Sequence, residues 1–156
     1  TSQQTVDRAM AFYAAIGKRP IHVRKEVPGH IANRLQAALW REAFHLVEQG
    51  VASVADVDTA IAYGPGLRWA LMGPFLNLHL SGGEGGLRHM LDHIGPPMES
   101  WWADLGTPHI TEELKQTLCA GLDAALLEHD RTALAPARDA LLAGLIAAKA
   151  GKPELP

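Results

Sequence analysis

Two polar side chains in this sequence are placed where they could handle an alcohol and an acid. Asn33, in the run Gly29-His30-Ile31-Ala32-Asn33-Arg34-Leu35, offers a carboxamide that donates and accepts hydrogen bonds without changing charge. That suits it to hold a developing carbonyl oxygen or to orient a neighbouring base, although an Asn at such a position can equally bond its own helix terminus. Arg68 follows Gly64-Pro65-Gly66-Leu67, read as a glycine-rich turn. Its guanidinium can grip a carboxylate through two parallel hydrogen bonds, or join an ordinary surface ion pair.

Four tryptophans, Trp40, Trp69, Trp101 and Trp102, stand out in a chain that is only 6% aromatic. An aromatic face attracts a quaternary ammonium by about 0.5–2 kcal/mol, and it serves equally in a core or a subunit contact. Trp69, beside Arg68, is the candidate for substrate contact, whereas Trp101 and Trp102 read as packing a loop. His89 and His93 have the i, i+4 spacing that can share a metal, but no Glu lies between them in a zinc motif and no third ligand is evident. No metal site is assigned. Gly82, Gly83, Gly85 and Gly86 suggest a phosphate loop, yet no Lys-Ser/Thr follows them. Arg88 also stands where the third glycine of a dinucleotide fingerprint should fall, so the run reads as a turn between helices.

The elements that must carry these groups are mainly helical. Residues 1–17 have Val6, Met10, Tyr13 and Ala14 at helical spacing, with Ser2 as cap and Gly17 as stop. Residues 19–27 alternate through Ile21 and Val23 and form the one convincing strand, which cannot satisfy its own backbone and must pair with strands elsewhere or with a copy of itself. Residues 30–49 make a long helix closed by Gly50. Ile31, Leu35, Leu39 and Leu46 mark one apolar stripe; Ala37, Trp40 and Phe44 mark another; Arg34, Arg41, His45 and Glu48 form the polar face. A helix apolar on two sides is expected at the centre of its domain. Ser53 and Asp56 make a capping box opening a helix to about Ala62, and Gly73-Pro74 starts another, which ends at Ser81-Gly82-Gly83. A further helix is expected from about Glu84 to Ile94, stopped by Gly95-Pro96-Pro97. Residues 111–129 and 131–150 then read as a helical hairpin, with Asp130 capping its second member.

At 156 residues the chain suits one domain, or one domain plus the end of another. A chain of this length is expected to bury about 68–70% of its unfolded surface. The 47% hydrophobic and 20% charged content is that of a globular protein. A net charge of −3 with scattered Lys and Arg excludes a phosphate-neutralising stripe, so no nucleic-acid partner is expected. The apolar stretch from Leu134 to Ala150 is broken by Pro136, Arg138, Asp139 and Lys149, and no signal peptide is visible; no membrane role is expected. The single cysteine, Cys119, allows no internal disulfide, and the expected compartment is the cytoplasm. The chain opens at Thr1 without Met and is expected to be part of something longer.

The run Lys25-Glu26-Val27-Pro28-Gly29-His30-Ile31-Ala32-Asn33-Arg34-Leu35 resembles the junction between the dinucleotide-binding domain and the helical C-terminal domain in the L-3-hydroxyacyl-CoA dehydrogenase family. The family's string there is Pro-Gly-aromatic-x-x-Asn-Arg-Leu, and His30 takes the aromatic position. Glu42-Ala43, Glu48-x-Gly50, Ser53-x-x-Asp56-x-Asp58 and Met72-Gly73-Pro74-Phe75 continue the match in order. Gly64 to Pro74 is more similar to the branch acting on small free hydroxy acids, the carnitine 3-dehydrogenases and the lambda-crystallin/L-gulonate 3-dehydrogenases. His79 to His89 leans toward the carnitine type. The resemblance covers roughly residues 1–105, and the last two helices are generic.

The resemblance implies a mainly α fold: residues 1–27 as the last helix and strand of an NAD-binding Rossmann domain, and residues 28–156 as an all-helical substrate-binding and dimerisation domain of the 6-phosphogluconate-dehydrogenase-like type. It implies a homodimer, a small hydroxy-acid substrate, and NAD bound mainly by a domain outside this chain, which also holds the catalytic His–Glu pair. The chain alone is then inactive. Within that scheme Asn33 takes the catalytic supporting role, and Arg68 with Trp69 binds substrate, Arg68 selecting free acids over thioesters. Two other readings are a dehydrogenase of fatty-acid or butyrate metabolism and a free-standing, non-catalytic helical interaction module.

Overall fold

The computed structural model describes residues 1–152, 154 and 155. The regular elements among them are all helical: α1 (Gln3–Ala15), α2 (Ala32–Glu48), α3 (Val54–Ala62), α4 (Pro65–Leu71), α5 (Pro74–Ser81), a 3₁₀ turn at Gly83–Gly85, α6 (Gly86–Asp104), α7 (Glu112–Ala125) and α8 (Arg131–Ala150). The helix starts obey local chemistry. Ser2, Ser53, Thr111 and Asp130 each accept a backbone N–H of the first turn that follows, and Pro65 and Pro74 occupy first positions where no N–H is needed. At Ser53 the box is complete: the Asp56 amide donates to Ser53 Oγ at 3.1 Å, and the Ser53 amide donates to Asp56 Oδ2 at 3.2 Å.

The chain divides into two compact units, residues 1–40 and 41–156, with the boundary inside α2. In the first unit, α1 closes at Gly17 (φ +79°) and the chain then runs without regular structure to residue 27. The strand expected over residues 19–27 is absent among the described residues. The reason is the one its solitude implies: an extended segment becomes a strand only by exchanging backbone hydrogen bonds with a neighbour, and this chain offers none. Val23 and Val27 are half-buried, while Ile21 stays 65% exposed.

In the second unit, α3 packs against both α4 and α7, and α5 packs most extensively on α6. Leu114 of α7 is the one buried hydrophobic side chain among the described residues. Gly121 of α7 lies so close to Val54 of α3 that a Cβ there would meet Val54 Cγ2 at 2.6 Å. The segment after α6 is fastened to α2: the Gly106 amide donates to Glu42 Oε2 at 2.9 Å, and the buried Gly106 lies against the His45 ring, leaving no room for a side chain.

Several expectations change. The long helix is not covered on two sides: residues 42–47 are half-buried, Ile31, Leu35 and Trp40 are exposed, and His45, expected on the polar face, packs on Gly106. Gly64-Pro65-Gly66 is not a free turn but the junction of α3 and α4, because Pro65 starts a helix and the two glycines admit the Ala60 and Ile61 carbonyls. Gly95-Pro96-Pro97 does not stop α6. Proline φ is compatible with a helix, and Ile94, Gly95 and Met98 keep one half-buried face across the two lost hydrogen bonds. Trp101 and Trp102 therefore stand on a helix, 63% and 61% exposed, rather than packing a loop. The final two helices do not pack as a hairpin; the Arg131–Asp123 ion pair at 2.8 Å links their near ends, and α8 carries exposed Leu134, Leu141, Leu142 and Ile146.

Burial falls short of the expected 68–70%. The accessible surface is 12483 Å², against roughly 7,700 Å² for a folded monomer of 16.8 kDa.

Ser53→Ala removes the hydroxyl that accepts the Asp56 amide and donates to Asp56 Oδ2, leaving only the backbone half of the box, and is expected to lower stability by about 1 kcal/mol in urea denaturation. Ser53 also holds the Asp56 carboxyl below its ordinary range, chiefly through its hydroxyl. That contribution is present above the unfolded carboxylate pKa and fades as pH falls through the lower folded value, so the wild-type advantage should shrink in acid.

Candidate functional site

Asn33 is placed by the turn that precedes it. Val27-Pro28-Gly29-His30 closes with the His30 amide donating to the Val27 carbonyl at 3.1 Å, and Gly29 has φ +76°. Proline followed by a left-handed glycine is the requirement of a type II turn. His30 then adopts φ +49°, left-handed for a residue with a Cβ. Arg34 Nη1 reaches back to the Pro28 carbonyl at 3.5 Å. Residues 26–30 line an open concavity of about 500 Å³ that presents Glu26 and His30 among Val27, Pro28 and Gly29. Asn33, in the first turn of α2, is exposed, and its carboxamide makes no hydrogen bond among the described residues. It does not cap its own helix and is free to act on something else.

Arg68 and Trp69 belong to the second unit, on the seven-residue α4. Arg68 is exposed and its guanidinium takes part in no ion pair or hydrogen bond among the described residues. Trp69 is 46% exposed. Adjacent helix positions diverge by about 100°, so the two side chains address different parts of space. Asn33 lies in the first unit, and its surroundings are described there alone.

The remaining candidates are accounted for by packing. The His89 and His93 rings lie stacked, 6.0 Å between centroids and 3° from parallel. Among the described residues no group of three His, Cys, Asp or Glu side chains is placed to hold a metal. The glycine run does not cradle a dinucleotide phosphate: the Cβ position of Gly82 is filled by the Gly86 carbonyl, that of Gly85 by His89 and that of Gly86 by the His79 ring. His79 Nδ1 itself accepts the Leu87 amide at 3.1 Å, capping α6. These three glycines thus serve the close packing of α5 on α6. No helix among the described residues is long and apolar enough to cross a membrane.

Two roles went unread in the sequence. Glu42, noted only as part of a Glu-Ala pair, holds the Gly106 amide. Asn77, not singled out at all, directs its carboxamide NH₂ at three backbone carbonyls of the α4–α5 corner. Its position two residues after Pro-Phe carries no recognisable signal.

Residues 29–117 match the family model of the 3-hydroxyacyl-CoA dehydrogenase C-terminal domain. The chain is similar to the L-carnitine dehydrogenase of Streptomyces griseus, 53% identical over 125 residues, which is 80% of this chain and 37% of that protein. It is also similar to that of Bacillus cereus, 47% identical over 146 residues, covering 94% of this chain and 45% of that protein. Among solved structures it is similar to 5-formyl-3-hydroxy-2-methylpyridine 4-carboxylic acid 5-dehydrogenase, an NAD⁺-dependent dismutase. The TM-score is 0.75 and the identity 26%, covering 97% of this chain and 49% of that one. The chain spans less than half the length of each of these proteins.

Proposed function

Because the chain belongs to the 3-hydroxyacyl-CoA dehydrogenase C-terminal-domain family, we propose that it forms the helical half of an NAD-dependent dehydrogenase that oxidises the 3-hydroxyl of a small hydroxy acid, L-carnitine foremost. The observation that carries this reading is an exposed guanidinium without a partner among the described residues, Arg68, next to a half-exposed indole, Trp69, on a helix packed against α3 and α5. Such a substrate has a carboxylate at one end and, in carnitine, a quaternary ammonium at the other. The divergence of neighbouring helix positions lets Arg68 take the acid and Trp69 the ammonium. The names of the relatives support the substrate class.

In this reading Asn33 donates its amide N–H to the substrate oxygen, where negative charge grows as the alcohol loses its proton, or orients the base that removes that proton. The base and the coenzyme belong to a dinucleotide-binding domain that lies mainly outside this chain, and residues 1–27 are the last helix and the strand-forming segment of that domain. Residues 28–156 bind substrate and dimerise, and the enzyme works in the cytoplasm. Residues 19–26, without regular structure or a backbone hydrogen bond among the described residues, and the exposed apolar side chains of α6 and α8 support the first two assignments. One more copy of this chain is the cover expected for Leu134, Leu141, Leu142 and Ile146.

Light scattering of the complete dehydrogenase is expected to give a dimer; a monomer at micromolar concentration contradicts the dimerisation assignment. In the same enzyme, Arg68→Met is expected to weaken L-carnitine oxidation at least tenfold in kcat/KM, since a charge-assisted hydrogen-bonded pair contributes about 1.5–3 kcal/mol. An unchanged rate removes Arg68 from the site, and no NAD reduction with L-carnitine or any other short 3-hydroxy acid refutes the function.

A further inference from the structure

A helix of seven residues has too few internal hydrogen bonds to hold its own geometry, and its last carbonyls have no intrahelical donors. α4, which carries Arg68 and Trp69, is such a helix. Its carbonyl end is held from outside by two side chains of other helices, both on backbone carbonyls. Asn77, half-buried on α5, places Nδ2 2.8 Å from the Met72 carbonyl, 3.0 Å from that of Gly73 and 3.3 Å from that of Arg68 itself. Three acceptors around one atom identify it as the NH₂ of the carboxamide, since an oxygen there would face three like charges. Lys149, half-buried near the end of α8 and 79 positions away in sequence, donates from Nζ to the Ala70 carbonyl at 3.2 Å. A cation at that end is also favoured by the helix dipole.

We infer that Asn77 and Lys149 are positioning residues for substrate recognition, fixing the last turn of α4 and so the direction in which Arg68 and Trp69 leave it. This rests on the reading of Arg68 as the carboxylate grip. The consequence is a division of labour that the sequence order conceals. Asn77 ties the α4–α5 corner locally, and Lys149 makes the last helix of the chain a contributor to substrate affinity without touching substrate. Neither side chain carries chemistry of its own, so each must act through the ground-state hold on the acid and leave the hydride-transfer step alone.

A double-mutant cycle in the complete dehydrogenase, with L-carnitine as the probe, separates positioning from mere stability. Asn77→Leu keeps the volume and removes the donor. It is expected to raise KM by about five- to tenfold with kcat changed less than about twofold, and to have almost no further effect in an Arg68→Met background, as coupled neighbours behave. Lys149→Met should show the same pattern at about two- to threefold. It does not depend on the α4–α5 corner folding correctly, so it decides the matter if Asn77→Leu proves unstable. Equal effects in both backgrounds, a loss confined to kcat, or no change in KM for either variant overturns the inference while leaving the Arg68 reading intact. An Arg68→Met enzyme with unchanged KM and kcat overturns the Arg68 reading and this inference with it.

Discussion

Everything in this structure is conditioned by apolar and backbone groups that the chain cannot cover by itself. Among the described residues one hydrophobic side chain is buried, and α1, α2, α6 and α8 each present large exposed hydrophobics. At about 25 cal/mol per Å² of apolar surface, the excess over a compact monomer of this mass is a large unrealised driving force. The same holds for the backbone of residues 19–26, which has no regular structure and no backbone hydrogen bond among the described residues. The proposed function accounts for the pattern: a helical domain that completed its packing against a dinucleotide-binding domain and a second subunit would have no need of a self-contained core.

The parts that are well determined are those that place polar groups. The type II turn at Pro28-Gly29 sets the start of α2 and with it Asn33. The α3–α4 junction, closed through Gly64 and Gly66, sets the start of α4, and the contacts of its carbonyl end set the finish. In the proposed reading each of Asn33 and Arg68, exposed and without a side-chain hydrogen bond among the described residues, gains from a fixed backbone, because side chains held in advance lose less entropy on engaging ligand.

Much of this was legible in the residues. Caps at Ser2, Ser53 and Asp130, the Pro74 helix start and the Gly50 stop follow from chemistry confined to one turn, so one turn of sequence suffices to read them. The junction motif through Asn33-Arg34-Leu35 pointed to the family, and the family match over residues 29–117 agrees. What failed were readings that local signals cannot decide. Gly95-Pro96-Pro97 reads as a stop, yet α6 passes through it because its half-buried face continues. Residues 19–27 have the pattern of a strand, but strand formation is a property of a pair. The roles of Glu42, Asn77 and Lys149 depend on carbonyls and amides up to 79 positions away, which no spacing rule discloses.

The dependence on outside cover is tested most directly by amide hydrogen exchange, comparing this chain alone with the same residues in the complete dehydrogenase. The account predicts that residues 18–27 and the exposed face of α8 exchange rapidly in the isolated chain and become strongly protected in the whole enzyme, while α3 and α7 change little. Equal protection of residues 18–27 in both states would show that the segment pairs with nothing beyond this chain, and would contradict it.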